Sequence, residues 1–399
     1  MARDVLDFAT LELDGKFGQQ VTPDLDVLRT CIQCGTCSAS CPTAYAMDYT
    51  PRQLWKLIQL GLRDEVVNSQ TFWLCTTCKA CTVRCPRGID LTQTMIMLKE
   101  YAVREGLKIP EGIGVLRETV SSHHNISGDK NENRLIWAEN LDHRPEGIES
   151  KEGAEVLYFV GCVSAFYPQA YSIPQSLVQI MHRAQVSFTT MGGEEWCCGY
   201  PLYGAGMKGL VGELARHNLQ RVQELGPTKL VATCPSCYYA WTHVYPEFVE
   251  LPDELEILHA TEYLSRLLQE GKVALGPVER IVTYHDPCDL GRKSGVYEAP
   301  RAILNSIPGL DFREMASSGE NAMCCGGGGD VEISDREVTG QVGVLRMQQV
   351  QETGAETVVS ACQQCKRTLL TGARQAKIRI RAMDISELVL ESVRNSESQ

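Results

Sequence analysis

Ten cysteines fall into one pattern used twice, and nothing else in the chain limits its fold so tightly. Cys162, Cys197, Cys198, Cys234 and Cys237 are spaced C-x34-CC-x35-C-x2-C. Cys288, Cys324, Cys325, Cys362 and Cys365 are spaced C-x35-CC-x36-C-x2-C, some 126–128 residues later. The flanks repeat too: EVLYFVGC matches RIVTYHDPC, KLVATCPSC matches TVVSACQQC, and ATEYLSRLL stands where DISELVLES stands. Self-similarity at a fixed offset marks a duplicated structural unit. A fold for this chain must therefore bring five sulfurs together, and do so twice.

Each unit alternates short β-rich runs with amphipathic helical stretches. VLYFV, VSFTT and KLVAT read as strands in the first, with SLVQIMHRA and GELARHNLQRVQEL as helices. RIVTYH, TVVSA and IRIRAM read as strands in the second, with DREVTGQVGVLRMQQVQET as a long helix. This alternation predicts a parallel sheet flanked by helices. The cysteines fall at strand ends, where open α/β sheets hold their ligands. Five thiolates exceed the four of a zinc site or a single cubane, and adjacent cysteines can serve neighbouring irons. A structural zinc site with one spare thiol is the competing reading for either set.

The remaining eight cysteines form two further runs, CIQCGTCSASCP from residue 31 and CTTCKACTVRCP from residue 75. Both follow C-x2-C-x2-C-x3-C-P, the bacterial ferredoxin run whose fourth cysteine serves the other cluster. By that rule Cys31, Cys34, Cys37 and Cys85 hold one [4Fe–4S] cubane, and Cys75, Cys78, Cys81 and Cys41 hold a second. Pro42 and Pro86 turn the chain away. PRQLWKLIQLGLRDEVVN and LTQTMIMLKEYAVREG have helical spacing, with Met95 and Met97 as core. The expected architecture is thus multidomain: a mostly α-helical ferredoxin-like domain (1–104), a polar linker (105–152), and two α/β modules with parallel sheets (153–275 and 276–399).

Eighteen cysteines without a secretory leader argue for metal in a reducing compartment over disulfides. A formal charge of −12 disfavours nucleic acid, and no apolar run is long enough to cross a membrane. GAGMKG (204–209) follows no strand and gives no dinucleotide fingerprint; CGGGGD lacks the Lys-Ser/Thr of a P-loop. His123 and His124 sit in polar sequence and read as solvated.

The doubled CCG pattern resembles the cysteine-rich family of the catalytic subunits of heterodisulfide reductase. CIQCGTC, TPRQLWKLIQLGL and WLCTTCKACTVRCP resemble its ferredoxin-like subunit. Together they are similar to the fused subunit of the membrane-associated enzyme, and to iron–sulfur subunits of anaerobic glycerol-3-phosphate dehydrogenase and glycolate oxidase. The resemblance implies a non-cubane [4Fe–4S] cluster on each five-cysteine set, with a disulfide cleaved between the two in one-electron steps. It points to an iron–sulfur electron-transfer subunit of an anaerobic, cytoplasmic oxidoreductase complex. The implied partners are a flavoprotein, a cytochrome b-type subunit or a hydrogenase-linked subunit, and any membrane association comes through them.

Two other functions compete with that one. The chain can be read as the catalytic subunit itself, reducing a heterodisulfide such as CoM-S-S-CoB, or as a zinc-stabilised scaffold that docks a ferredoxin. On the catalytic reading, Cys198 and Cys325 lie closest to the chemistry. In many members of the family a histidine directly follows the first cysteine of the second module. Here Asp289 stands in that place, a poor acid unless buried. His285 is the candidate to replace it. CCGYPLYG and CCGGGGD differ, so the two clusters are expected to have different surroundings.

Overall fold

The computed structural model describes residues 12–141, 143–145 and 147–397. Two sheets of four parallel strands lie behind a helical N-terminal part. The first contains β1 (Val156–Phe159), β2 (Phe188–Thr189), β3 (Lys229–Ala232) and β4 (Glu256–His259), in the order β2-β1-β3-β4. The second contains β5 (Arg280–His285), β6 (Leu310–Phe312), β7 (Thr357–Ser360) and β8 (Arg381–Asp384), in the order β6-β5-β7-β8. The register repeats as well: Phe159 pairs with Ala232 and His285 with Ser360 at equivalent strand ends. The duplication in sequence is thus a duplication of topology.

β1 and β7 are buried at every position, as a strand covered by helices on both faces must be. The apolar pattern of the sequence finds these central strands and misses β4 and β6. β6 is a sheet edge with an exposed Asp311, so its period of apolar residues is weak. Beneath the first sheet the helices Ser172–Arg183 and Val211–Leu225 bury Leu177, Ile180, Leu214 and Val222.

PRQLWKLIQLGLRDEVVN forms two helices, Pro51–Gln59 and Arg63–Val67, where its spacing predicts one. Gly61 separates them at φ +71°, and a Cβ there would fall on the Asp14 carbonyl. The helix Leu91–Arg104 begins at Asp90, whose carboxylate accepts from the Gln93 N–H (3.1 Å).

Segment 105–152 contains more order than its polarity suggests. It forms the helix Glu111–His123, which buries Ile113, Leu116 and Val120, and a 3-10 helix, Asn131–Ala138, which buries Trp137 and Arg134 completely. His123 is exposed, but His124 stacks on Trp196, ring centroids 3.6 Å apart, and its carbonyl accepts from Cys197 N–H (2.7 Å). One apolar core runs from Phe17 to Val393, through the ferredoxin part and both sheets. Among the described residues no helix is long and apolar enough to cross a membrane.

Candidate functional site

All eighteen cysteines are free thiols, and they gather in four places. Cys31, Cys34, Cys37 and Cys85 line one small cavity with Trp55, Arg52 and Arg87; Cys34 is exposed there. Cys41 comes from the first run but lies among Cys75, Cys78 and Cys81. Burial pushes its thiol up to about 12, and the charges of Cys75 and Cys78 add to the effect. Cys81 is raised by burial and then by Cys75, Cys78 and Cys41. The fourth cysteine of each run therefore sits with the other run.

In the first module Cys162 opens a short helix after β1, and Cys234 caps the helix Pro235–Tyr239 after β3. A helix N-terminus favours a thiolate. Cys162, Cys197, Cys198, Cys237 and Cys234 form one chain of thiol contacts. Cys198 is drawn below the usual thiol range by hydrogen bonds from Cys197 and then Cys237. The Gly199 N–H reaches Cys197 Sγ (3.4 Å), with Gly199 at φ +77°. Arg134 donates to Cys162 Sγ (3.3 Å) and pairs with Glu195 (2.7 Å), both side chains fully buried. Glu195 also accepts from the Val160 and Gly161 N–H groups (2.9 Å each). Nothing in the sequence flagged Arg134 or Glu195, because each lies outside the repeated cysteine flanks.

The second module repeats the arrangement with different neighbours. Cys362 caps the helix Gln363–Ala376, accepting from Cys365 N–H (3.4 Å), and Cys325 meets Cys365 (3.4 Å between sulfurs). Cys324 hydrogen-bonds to Cys288, Cys325 and Cys78 of the ferredoxin part. Cys78 is held well below the ordinary thiol range, chiefly by that contact with Cys324. The glycines after Cys325 have two uses. Gly326 N–H reaches Cys324 Sγ (3.3 Å), whereas a Cβ on Gly328 or Gly329 would strike the carbonyls of Thr76 or Cys75. The run lets the ferredoxin loop press against this module, and Lys99 Nζ donates to the Gly329 carbonyl (3.1 Å). GAGMKG has a similar use: a Cβ on Gly206 would strike the backbone of Lys99 and Glu100.

The two five-cysteine sets face each other. Cys234 lies close enough for its charge to raise Cys362, and Gln363 Nε2 donates to Thr233 Oγ1 (2.8 Å) across the boundary. Between them is a cavity of about 240 Å³, lined by all five cysteines of the first set and by Cys288, Cys325, Cys362 and Cys365 of the second. Asp289 lines it as well. It accepts from Ser236 Oγ (2.6 Å) and pairs with Lys293 (2.7 Å), which also contacts Tyr200, so it ties the modules together. His285, the candidate to replace the missing histidine, does not line the cavity; it is buried against Cys325 and Cys365. Asp330 is a further protonable group in the lining. Its Oδ2 has no partner among the described residues, and burial pushes its carboxyl up to about 6.

Buried, closely spaced and unoxidised thiols suit iron–sulfur clusters, since five thiolates need cationic iron to offset their mutual repulsion. Known proteins agree on the layout. Residues 27–89 match a 4Fe-4S dicluster domain, and residues 156–241 and 282–370 each match a cysteine-rich domain. The chain is 31% identical to one of the subunits of the dihydromethanophenazine:CoB–CoM heterodisulfide reductase of Methanosarcina barkeri, covering 92% of this chain and 94% of that one. It is 28% identical to one of the subunits of the fumarate reductase (CoM/CoB) of Methanothermobacter marburgensis, covering 89% and 71%. It is 29% identical to the EtfAB:quinone oxidoreductase of Syntrophomonas wolfei, covering 84% of this chain and 48% of that one. A hypothetical protein from Helicobacter pylori shares the fold (TM-score 0.55, 11% identity, covering 83% of this chain and 64% of that one).

Proposed function

The chain belongs to the iron–sulfur family that includes this heterodisulfide reductase component of Methanosarcina barkeri, and from that membership we propose that it is a four-centre electron relay with a substrate cavity at its end. It is an oxidoreductase subunit of the heterodisulfide reductase type. Two cubanes would sit on the ferredoxin sets, one on Cys31, Cys34, Cys37 and Cys85, the other on Cys75, Cys78, Cys81 and Cys41. Two non-cubane clusters would sit on the five-cysteine sets. The observation that carries the relay is the pair of junctions between sets: Cys78 against Cys324, then Cys234 against Cys362. Electrons would run between the exposed Cys34 end and the cavity by way of the second ferredoxin set and these two junctions.

The two clusters on the five-cysteine sets would each supply one electron to the two-electron cleavage of a disulfide. The chain's own residues do the rest. Cys198 and Cys325 present sulfur to the cavity, and Asp330, its carboxyl raised to about 6 by burial, is a candidate proton donor in its lining. This supports the reading in which the chain itself carries disulfide chemistry, with a flavoprotein, cytochrome b-type or hydrogenase-linked partner feeding the exposed end. Its place of work would be the reducing cytoplasm, with any membrane attachment supplied by that partner.

Metal content of the anaerobically purified chain, with EPR after oxidation in the presence of thiol, tests this. Four centres predict about 16 irons per chain. About eight irons with one or two zincs would leave a ferredoxin on a scaffold and sink the relay. Full iron with a signal that appears only with thiol supports chemistry at the cavity; full iron without it leaves electron transfer alone.

A further inference from the structure

His285 is at the end of β5, 1% exposed, with a ring nitrogen within 4.8 Å of the sulfurs of Cys325 and Cys365. Its Nδ1 is 3.0 Å from Arg346 Nε, in the long helix Arg336–Glu352. An arginine Nε–H only donates, so Nδ1 must accept and carries no hydrogen. The ring proton is therefore on Nε2. That buried N–H has no hydrogen-bond partner among the described residues, and the sulfurs of Cys325 and Cys365 lie beside the ring. Arg346 is itself held, donating to the Ser317 carbonyl (3.0 Å) and to Gln349 Oε1 (2.6 Å), so the imidazole cannot turn without breaking a buried network.

We propose that Arg346 fixes His285 as an Nε2–H donor to Cys325, and that this N–H···S hydrogen bond raises the reduction potential of the centre on the second five-cysteine set. The inference rests on the cluster reading above. A donor aimed at a thiolate stabilises the more negative, reduced cluster, and ring orientation is set by the partner of the other nitrogen. The first module has no such device. Phe159 occupies the equivalent strand end, packed edge-on to Trp241, and the donor to its sulfur is Arg134, from outside the module. The two centres are thereby given different potentials on the same scaffold. His285 acts through Cys325 and is a positioning residue.

EPR-monitored redox titration of the full chain tests this, with metal content measured alongside. His285→Phe, which copies the first module, is expected to lower the potential of the second centre by about 59 mV, a tenfold change in its one-electron equilibrium. His285→Gln, which keeps an N–H at that reach, is expected to restore most of the loss. Arg346→Met frees the tautomer and should fall between them, with the first centre unmoved throughout. An unchanged second potential at full iron in His285→Phe overturns the proposal. So does loss of iron from the second set, which would make His285 a ligand. If His285→Phe does not fold, a potential in Arg346→Met equal to wild type overturns it. Zinc in place of iron at the second set of the wild type would overturn the cluster reading itself, a failure seen before any variant is made.

Discussion

The two cysteine-rich modules share topology, register, nearly the same cysteine spacing and a glycine N–H on the first sulfur of the adjacent pair, yet the charged and aromatic side chains around their sulfurs differ. The first takes Arg134 from outside its own repeat, paired with its own Glu195, and meets the second set through Cys234 and Cys362. The second takes His285 and Arg346 from within, and is pressed against the ferredoxin loop through Gly328 and Gly329. A duplicated scaffold thus fixes where five sulfurs meet, and its neighbours decide what each meeting place does.

The comparison is most exposed at the two buried arginines. Arg134→Met leaves the Glu195 carboxylate buried without its cation and should destabilise the protein by about 3–5 kcal/mol. Arg346→Met strands only the neutral acceptors it donates to and should cost about 1–3 kcal/mol. Denaturant titration of both variants decides the matter: equal losses would mean that the first module is not held by its ion pair.

The glycines give the next largest effect. Gly329→Ala and Gly206→Ala both force a side chain into the left-handed region, at φ +62° and +79°, costing about 1–2 kcal/mol before any clash. Only Gly329 sits at the Cys75 loop beside the Cys78–Cys324 junction. Gly329→Ala should therefore slow electron transfer from the ferredoxin part to the second module, measured by stopped-flow reduction, while Gly206→Ala costs stability and spares the rate. Equal rates in the two would remove the glycine run from the relay.

The smallest effect concerns the last strand of each sheet. β4 ends in His259, which burial pushes down to about 3; β8 ends in Asp384, which burial pushes up to about 7. Asp384 is protonated more readily folded than unfolded, so its contribution is full below about pH 4 and lost as pH rises through 7. His259 works the other way: unfolded it takes a proton near pH 6.5, so its contribution is present above that pH and lost as pH falls towards 3. Asp384→Asn should flatten the fall in stability between pH 5 and 8 by about 1–2 kcal/mol, and His259→Gln should flatten the loss below pH 6. Thermal melts across that range check both signs.

Much of the grouping of the sulfurs was legible because it depends on local spacing. C-x2-C runs, strand-end cysteines and fully apolar strands such as VLYF carry their meaning within a few residues. The edge strands β4 and β6 were not legible, because half-exposed strands lose their apolar period. The order within 105–152 was hidden behind the polar HHNISGDKNENR, although Ile113, Leu116 and Val120 already had helical spacing. Asp289 stands out by its sequence position, but its partners Ser236 and Lys293 come from two different modules.

By itself, then, the sequence determined two parallel-sheet modules, a ferredoxin part, and the sulfurs that group together, since each follows from short-range periodicity and spacing. Only the tertiary structure decided the order of the groups, the cavity between them, and the tasks of Arg134, His285 and the glycine run. The physical reason is that a glycine, a buried arginine or an imidazole takes its meaning from whatever approaches it. In this fold what approaches comes from a distant part of the chain.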